Sequence, residues 1–362
     1  MLAETIIRIA VFLLGFLIVL RTVLAAIRFF LLPRSARDRI AAVFFVTWRK
    51  LFYWRTSRAT TYEERDRIMA MFAPVSLLAL PAFLLSLILV GYVLMYWAYG
   101  VEPLYNAFAL SGSSLLTLGF ARHEGTVLLL LTFSEAGMGI TLAALLVSYL
   151  PTMYAAFSAR ETAVTLLEVR AGSPPSAGEM LIRTHQIHGL EYLSEVWEPW
   201  EIWFAALEES HTSLAALVFF RSPKPQRSWI TAAGAVLDCA ALSASTLDLP
   251  PNPEAQLCLR AGYLALRSIA DFYLIPHNPN PTPDDPISVT RAEFDDAYEH
   301  LRAEGVPLRP DRDQCWRDFT GWRVNYDVVL IKLAAMTMAP YAPWISDREL
   351  PRSPQSMKAK RP

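Results

Sequence analysis

Long apolar runs separated by polar intervals fill the first 157 residues of the chain. Three of these runs are long enough to cross a bilayer: residues 6–32, 69–97 and 126–157. About 20 helical residues cover a hydrocarbon core roughly 30 Å thick, so each run predicts a transmembrane helix. Arg8, Arg21 and Arg28 interrupt the first run. Arg21 and Arg28 share a helical face but lack the every-third-residue repeat of a voltage sensor, and they read as side chains that snorkel to the interface. Pro74 and Pro81 in the second run are tolerable, because neighbouring helices can re-satisfy the carbonyls they free. A cleaved signal peptide, with "VLA" before Ala26, is the rival reading of the first run.

The interval that follows decides against that rival. Residues 33–68 hold nine Arg or Lys against four acids, which places the segment in the cytoplasm by the positive-inside rule. Within it Ile40, Phe44, Trp48, Leu51 and Phe52 recur at helical spacing, with Arg39, Arg49, Lys50 and Arg55 at other positions. This predicts an amphipathic helix, lying on the anionic inner leaflet or packed on the soluble part of the protein. The second run then passes from inside to outside and the third returns, with Arg160 and Arg170 beyond it on the positive side. The N-terminus is expected outside.

After residue 157 the pattern becomes that of a soluble helical protein. "RAGSPPSAG" (170–178) reads as linker sequence. Helices are expected over 179–220 with a break near Pro199, and over 228–246, 253–274, 291–304 and 311–338; Thr290 and Glu293 form a capping box for the fourth. No strand pattern and no internal repeat is visible. "IPHNPNPTPDDP" reads as a proline-rich loop and "PRSPQSMKAKRP" as a disordered basic tail.

Composition agrees with the division. Of the 362 residues 54% are hydrophobic and 19% charged, with a mean hydropathy of +0.29, against about 25% charged in globular proteins. The net charge of −1 and the absence of a basic stripe with interleaved aromatics set nucleic acid aside. Cys239, Cys258 and Cys315 have no C-x-x-C spacing, so neither zinc nor a disulfide framework is indicated, and free thiols suit a reducing cytoplasm.

The stretch "FALSGSSLLTLGFARHEG" (108–125) lies between the second and third runs and begins and ends on the outer side. With fewer than thirty residues available it must dip into the membrane and return. Glu102-Pro103 is a good helix start, an acid with Pro at the first helical position, so a short re-entrant helix is expected from Pro103 to about Leu116. Beyond it Thr117, Leu118, Gly119 and Phe120 would return as extended backbone. Lipid forbids that unless the carbonyls face ions or water.

At these residues the sequence resembles the pore module of potassium channels, whose pore helix ends in a Thr-Val-Gly-Tyr-Gly filter followed by Asp. "SEAGMGITLAALLVSYLP" is similar to the inner helices of bacterial members, with Gly137 and Gly139 where a hinge glycine is usual. The resemblance covers the pore module alone. It implies a filter made of Thr117, Leu118, Gly119, Phe120 and Ala121, with Ser113, Ser114 and Glu135 supporting the pore helix, and Arg122 and Glu124 at the outer mouth. It also implies four chains around one axis and potassium or other monovalent cations in the pore, with no other cofactor. Two positions depart from the family. Ala121 occupies the last glycine position, where a left-handed backbone is expected, and Arg122 replaces the acid.

Glu135, an acid inside an apolar run, needs a partner, and Ser111, Ser113 and Ser114 are its candidates. In the second half His185, His188, Glu208 and His211 invite a metal reading, but a second Glu-x-x-His is missing and no metal is expected. Trp197, Trp200, Trp203 and Phe204 form a helical stripe of core type. Asp238 is expected to be buried with Arg260 or Arg267. No Gly-x-Gly-x-x-Gly follows a strand, and no nucleophile, base and orienter come together, so an enzyme is not expected.

The expected architecture is an all-α membrane protein with three transmembrane helices, a re-entrant pore helix and filter, and a cytoplasmic helical domain of unknown ligand. By residue these are 1–32 (first helix), 33–68 (basic amphipathic segment), 69–160 (pore module), 161–178 (linker), 179–348 (cytoplasmic domain) and 349–362 (tail). The expected function is a homotetrameric, potassium-conducting channel subunit in the plasma (inner) membrane, in contact with lipid. The alternative is a membrane-anchored sensor or scaffold with a degenerate, non-conducting pore, and Ala121 and Arg122 are the residues that favour it.

Overall fold

The computed structural model describes residues 2–32 and 39–348; Arg34, Arg37 and the basic tail at 349–362 lie outside them. Regular structure among the described residues is helical, and β pairing is limited to an isolated antiparallel bridge between Leu247 and Leu308. The chain divides into two compact units, one of Met1–Ala155 with Ser213–Ala216 and one of Ala156–Thr212 with Leu217–Pro362.

The first unit holds α1 (Leu2–Phe30), α2 (Arg39–Thr56), α3 (Tyr62–Ala70), α4 (Phe72–Ala98), α5 (Leu104–Leu115) and the first part of α6 (Thr126–Ala171). α1, the α3–α4 stretch and α6 are long and apolar enough to cross a membrane. Glycines set the approach of α1 to α4. A Cβ on Gly15 would lie 2.5 Å from the Gly91 carbonyl oxygen, and one on Gly91 2.6 Å from Val19 Cγ2, so a larger residue at either position would force the helices apart. At one end of this pair Arg8 bonds Glu4 at 3.2 Å and Glu102 at 2.6 Å and lies over the Trp97 ring. The start of α1 therefore meets the end of α4, and the two helices run antiparallel.

α2 forms as the helix expected there and packs on other helices of its own unit. Its aromatic row faces the unit's own helices: Phe44 packs on Phe83 and Phe52 edge-on to Phe72, both in α4, while Phe45 stacks on Phe29 of α1. These contacts cover the row with three neighbouring aromatic side chains, Phe83, Phe72 and Phe29.

α6 buries a single stripe in the first unit, formed by Leu128, Glu135, Gly139, Leu142, Tyr149 and Met153, and exposes Leu130, Phe133, Ile140, Val147 and Tyr154. It continues past Pro151 to Ala171, and Val164, Leu167 and Ala171 enter the core of the second unit. Most of the expected linker at 161–178 is thus helix. Their spacing of three and four residues puts these three apolar side chains on one face, and burying that face favours continuing the helix. The chain first turns at Gly172, whose φ is +80°.

The second unit contains α7 (Ala177–Ile187), α8 (Leu193–Ser213), α9 (Trp229–Thr246), α10 (Pro253–Phe272), α11 (Arg291–Ala303), α12 (Arg312–Arg323) and α13 (Asp327–Thr337). α9 is also long and apolar enough to span. It is buried almost throughout, with α7, α10, α12 and α13 packed on it, so it keeps no face for lipid. Ser228 caps its start, and the Thr290–Glu293 capping box starts α11.

Two breaks fall away from their expected places. The 179–220 segment breaks at His188 and Gly189, where Gly189 has φ +84°, and Pro199 sits inside α8 near its start, where a missing N–H costs one internal bond. The 311–338 segment breaks at Val324, Asn325 and Tyr326 because the Asn325 amide donates to the Gly321 and Trp322 carbonyls that close α12.

Candidate functional site

α5 starts at Leu104 with Pro103 as its N-cap, one position later than expected, and ends at Leu115. Residues 117–121 then fold back against it. The Ser113 carbonyl accepts from Leu118 N at 2.8 Å and Gly119 N at 3.3 Å, the Ser114 carbonyl accepts from Thr117 N at 3.0 Å, and Ser113 Oγ accepts from Ala121 N at 3.0 Å. Four N–H groups of the segment are therefore engaged on its inner side. The carbonyls of Thr117, Leu118, Gly119, Phe120 and Ala121 accept no hydrogen bond from any described residue.

The left-handed positions are Thr117, φ +56°, and Gly119, φ +72°. The expectation that Ala121 takes that conformation is not met. A β-branched residue with positive φ is a true outlier, and such strain, about 1–3 kcal/mol, persists only where surrounding bonds over-determine it. Here the bonds from Thr117 N and Leu118 N to two successive α5 carbonyls do so.

Glu135 of α6 is fully buried. Ser111 Oγ of α5 donates to its Oε1 at 2.5 Å and Tyr96 OH of α4 to its Oε2 at 2.8 Å. Of the three candidate serines, Ser111 is the partner. Ser113 holds the 117–121 segment instead, and Ser114 Oγ returns to Leu110 O of its own helix. Tyr92, one turn before Tyr96, shares a hydrogen bond with Ser134 at 2.7 Å. Sequence reasoning missed both tyrosines, although their i, i+4 spacing inside an apolar run marks a polar seam.

The two glycines of α6 differ. A Cβ on Gly139 would lie 2.1 Å from the Leu115 carbonyl oxygen, whereas one on Gly137 meets nothing within 4 Å. Gly139 lets α6 touch the end of α5, and the helix is unbroken at both positions. Arg122 and Glu124 are exposed, and neither forms an ion pair with a described residue.

In the second unit the singled-out residues disperse. Among the described residues no three His, Cys, Asp or Glu side chains converge as a metal site. His211 Nε2 lies 3.2 Å from Arg160 Nη1. Arg160, taken from the sequence as a charge on the positive side, is itself buried, donating to the Leu217 and Phe220 carbonyls and pairing with Glu161. Burial first, and the Arg160 charge second, hold the His211 imidazole well below its ordinary range. Trp197, Trp200, Trp203 and Phe204 lie in the core.

Asp238 pairs with Arg323, in place of the expected Arg260 or Arg267. Arg323 also donates to Asp327 at 2.8 Å, and Tyr326 OH to Asp238 at 2.8 Å. Arg267 is directed to the Asn325 carbonyl and the Asn325 side chain. No family model, curated protein or solved structure matches this chain.

Proposed function

We propose that the chain is one subunit of a homotetrameric cation channel, conducting potassium, with α5 as the pore helix and residues 117–121 as the filter. In this reading α1, α4 and α6 span the plasma membrane, the N-terminus is outside, and the second unit is a cytoplasmic domain for gating or assembly. The observation that carries it is the asymmetry of the 117–121 backbone, with four of its five N–H groups bonded to α5 and its carbonyls free. Inside a membrane free carbonyls need a partner, and a ring of them from four chains replaces the hydration shell of a cation. Leu118 and Phe120, 62% and 69% exposed, are left for neighbouring chains or lipid to cover. Potassium flux into liposomes holding the purified chain tests the proposal; no flux under any condition, with tetramer present, overturns it.

One observation favours the scaffold reading. Four unpaired Arg122 side chains would ring the mouth and repel cations. If Arg122→Asp also gives no flux, the segment is a structural turn and the helical second unit carries the protein's work.

A further inference from the structure

With its aromatic row turned inward, α2 leaves its opposite face unpartnered. Val43, Lys50 and Trp54 follow one another at i, i+7 and i+11 on that face, with Val46 and Leu51 beside them, and all are exposed. Arg55 and Arg58 are exposed where the helix ends, and the Arg58 guanidinium stacks on the Trp54 ring, 4.4 Å from its centroid. α2 contains no acid. Arg39 opens the same face four residues before Val43; between it and Lys50 the face carries Val43 and Val46, and beyond Lys50 it is cationic.

The inward contacts fix how that gradient lies along α4. Phe52 meets Phe72, the first residue of α4, while Phe44 meets Phe83, about three turns further on. The Val43–Val46 part of the face thus runs beside the interior of a helix long enough to span, and the part from Lys50 onward beside the start of that helix. Trp54 stands at the change, as interfacial tryptophans do.

From this arrangement we infer that the outer face of α2 binds an anionic phospholipid. Its phosphate lies among Lys50, Arg55 and Arg58, and its acyl chain lies along Val43, Val46 and Leu51. Charge complementarity commits the site to an acidic lipid: a zwitterionic headgroup adds a positive charge to an end of the face that already carries three. The inference needs α4 to cross the membrane and is independent of conduction at residues 117–121.

The test uses the full chain in liposomes and reads tryptophan quenching by brominated phosphatidylglycerol against brominated phosphatidylcholine, with Trp54→Phe isolating the Trp54 signal. The Trp54 component should prefer phosphatidylglycerol at least tenfold. Each of Lys50→Gln, Arg55→Gln and Arg58→Gln should lower that preference about fivefold, and the triple variant should bring it near one. If the triple variant fails to fold, 0.5 M salt on the parent should produce the same loss by screening. Equal quenching by the two lipids in the parent, or a preference unchanged in both the variants and high salt, overturns the inference.

Discussion

Ser111 and Glu135, 24 residues apart in the chain, meet at 2.5 Å, the hydroxyl of α5 donating to the carboxylate of α6. Tyr96 adds a bond from α4 at 2.8 Å, so one carboxylate ties three helices together in surroundings that are otherwise apolar. An acid there costs free energy unless both oxygens are engaged, and both are.

Replacing that carboxylate should therefore loosen the first unit. Glu135→Ala takes the acceptor from the buried Tyr96 hydroxyl, at about 1–3 kcal/mol, while Ser111 Oγ keeps the Leu89 carbonyl at 3.2 Å. Glu135→Gln keeps one acceptor and should cost less. Thermal melting of the full chain in detergent reads the order parent, Gln, Ala; an Ala variant melting with the parent shows that the tie contributes nothing.

The two α6 glycines should separate cleanly. Gly139→Ala drives a methyl group into the Leu115 carbonyl and must displace the end of α5, lowering the melting temperature and disturbing any flux. Gly137→Ala meets open space and gains up to about 1 kcal/mol of helix propensity. Equal effects of the two substitutions would remove the close contact at Gly139 as an explanation.

In the proposed filter, Gly119→Val places a β-branched side chain at φ +72° and should abolish potassium flux while expression and assembly persist. Ala121 does not have positive φ, so Ala121→Gly should leave ion selectivity unchanged. Wild-type flux through Gly119→Val would show that this backbone does not line the pathway.

Orientation is open to a direct measurement. A cysteine at Glu4 or Glu124 should react with an impermeant thiol reagent applied to sealed cells, and one at Thr60 should not. Arg8 joined to Glu102 puts the first of these at the same end as the start of α5. Labelling at Thr60 from outside reverses the topology and removes the channel reading.

His211 supplies a pH dependence for the second unit. Its imidazole is held neutral by burial and by Arg160, below the ordinary value of 6.5. On acidification the unfolded chain takes up a proton that the folded chain refuses. The stabilisation is complete above about pH 6.5 and falls below it by up to about 1.4 kcal/mol per pH unit, until the folded ring itself protonates. His211→Gln should flatten that slope in urea unfolding between pH 6.5 and 4.5; an unchanged slope assigns the dependence to other groups.

The word Thr-Leu-Gly-Phe marked the 117–120 segment in the sequence, yet its geometry was not visible there. That residues 117–120 leave α5 and turn back was legible, because a short apolar stretch between two long apolar helices has few places to go. That Thr117 rather than Ala121 takes the left-handed conformation depends on which α5 carbonyls its neighbours reach.

The sequence by itself determined the helical class and the long apolar runs of α1, α4 and α6. It also determined the Thr290–Glu293 cap, because length, periodicity and capping act over a few residues of contiguous chain. It could not separate α9 from a membrane span, since hydropathy measures how apolar a helix is and not what surrounds it. The tertiary structure decided that α9 is covered by other helices, that Asp238 meets Arg323 from 85 residues away, and that α2 turns its aromatic face inward. Each of these depends on which distant surfaces arrive together. A buried charge takes whichever partner packing brings within hydrogen-bond reach, and no local pattern encodes that distance.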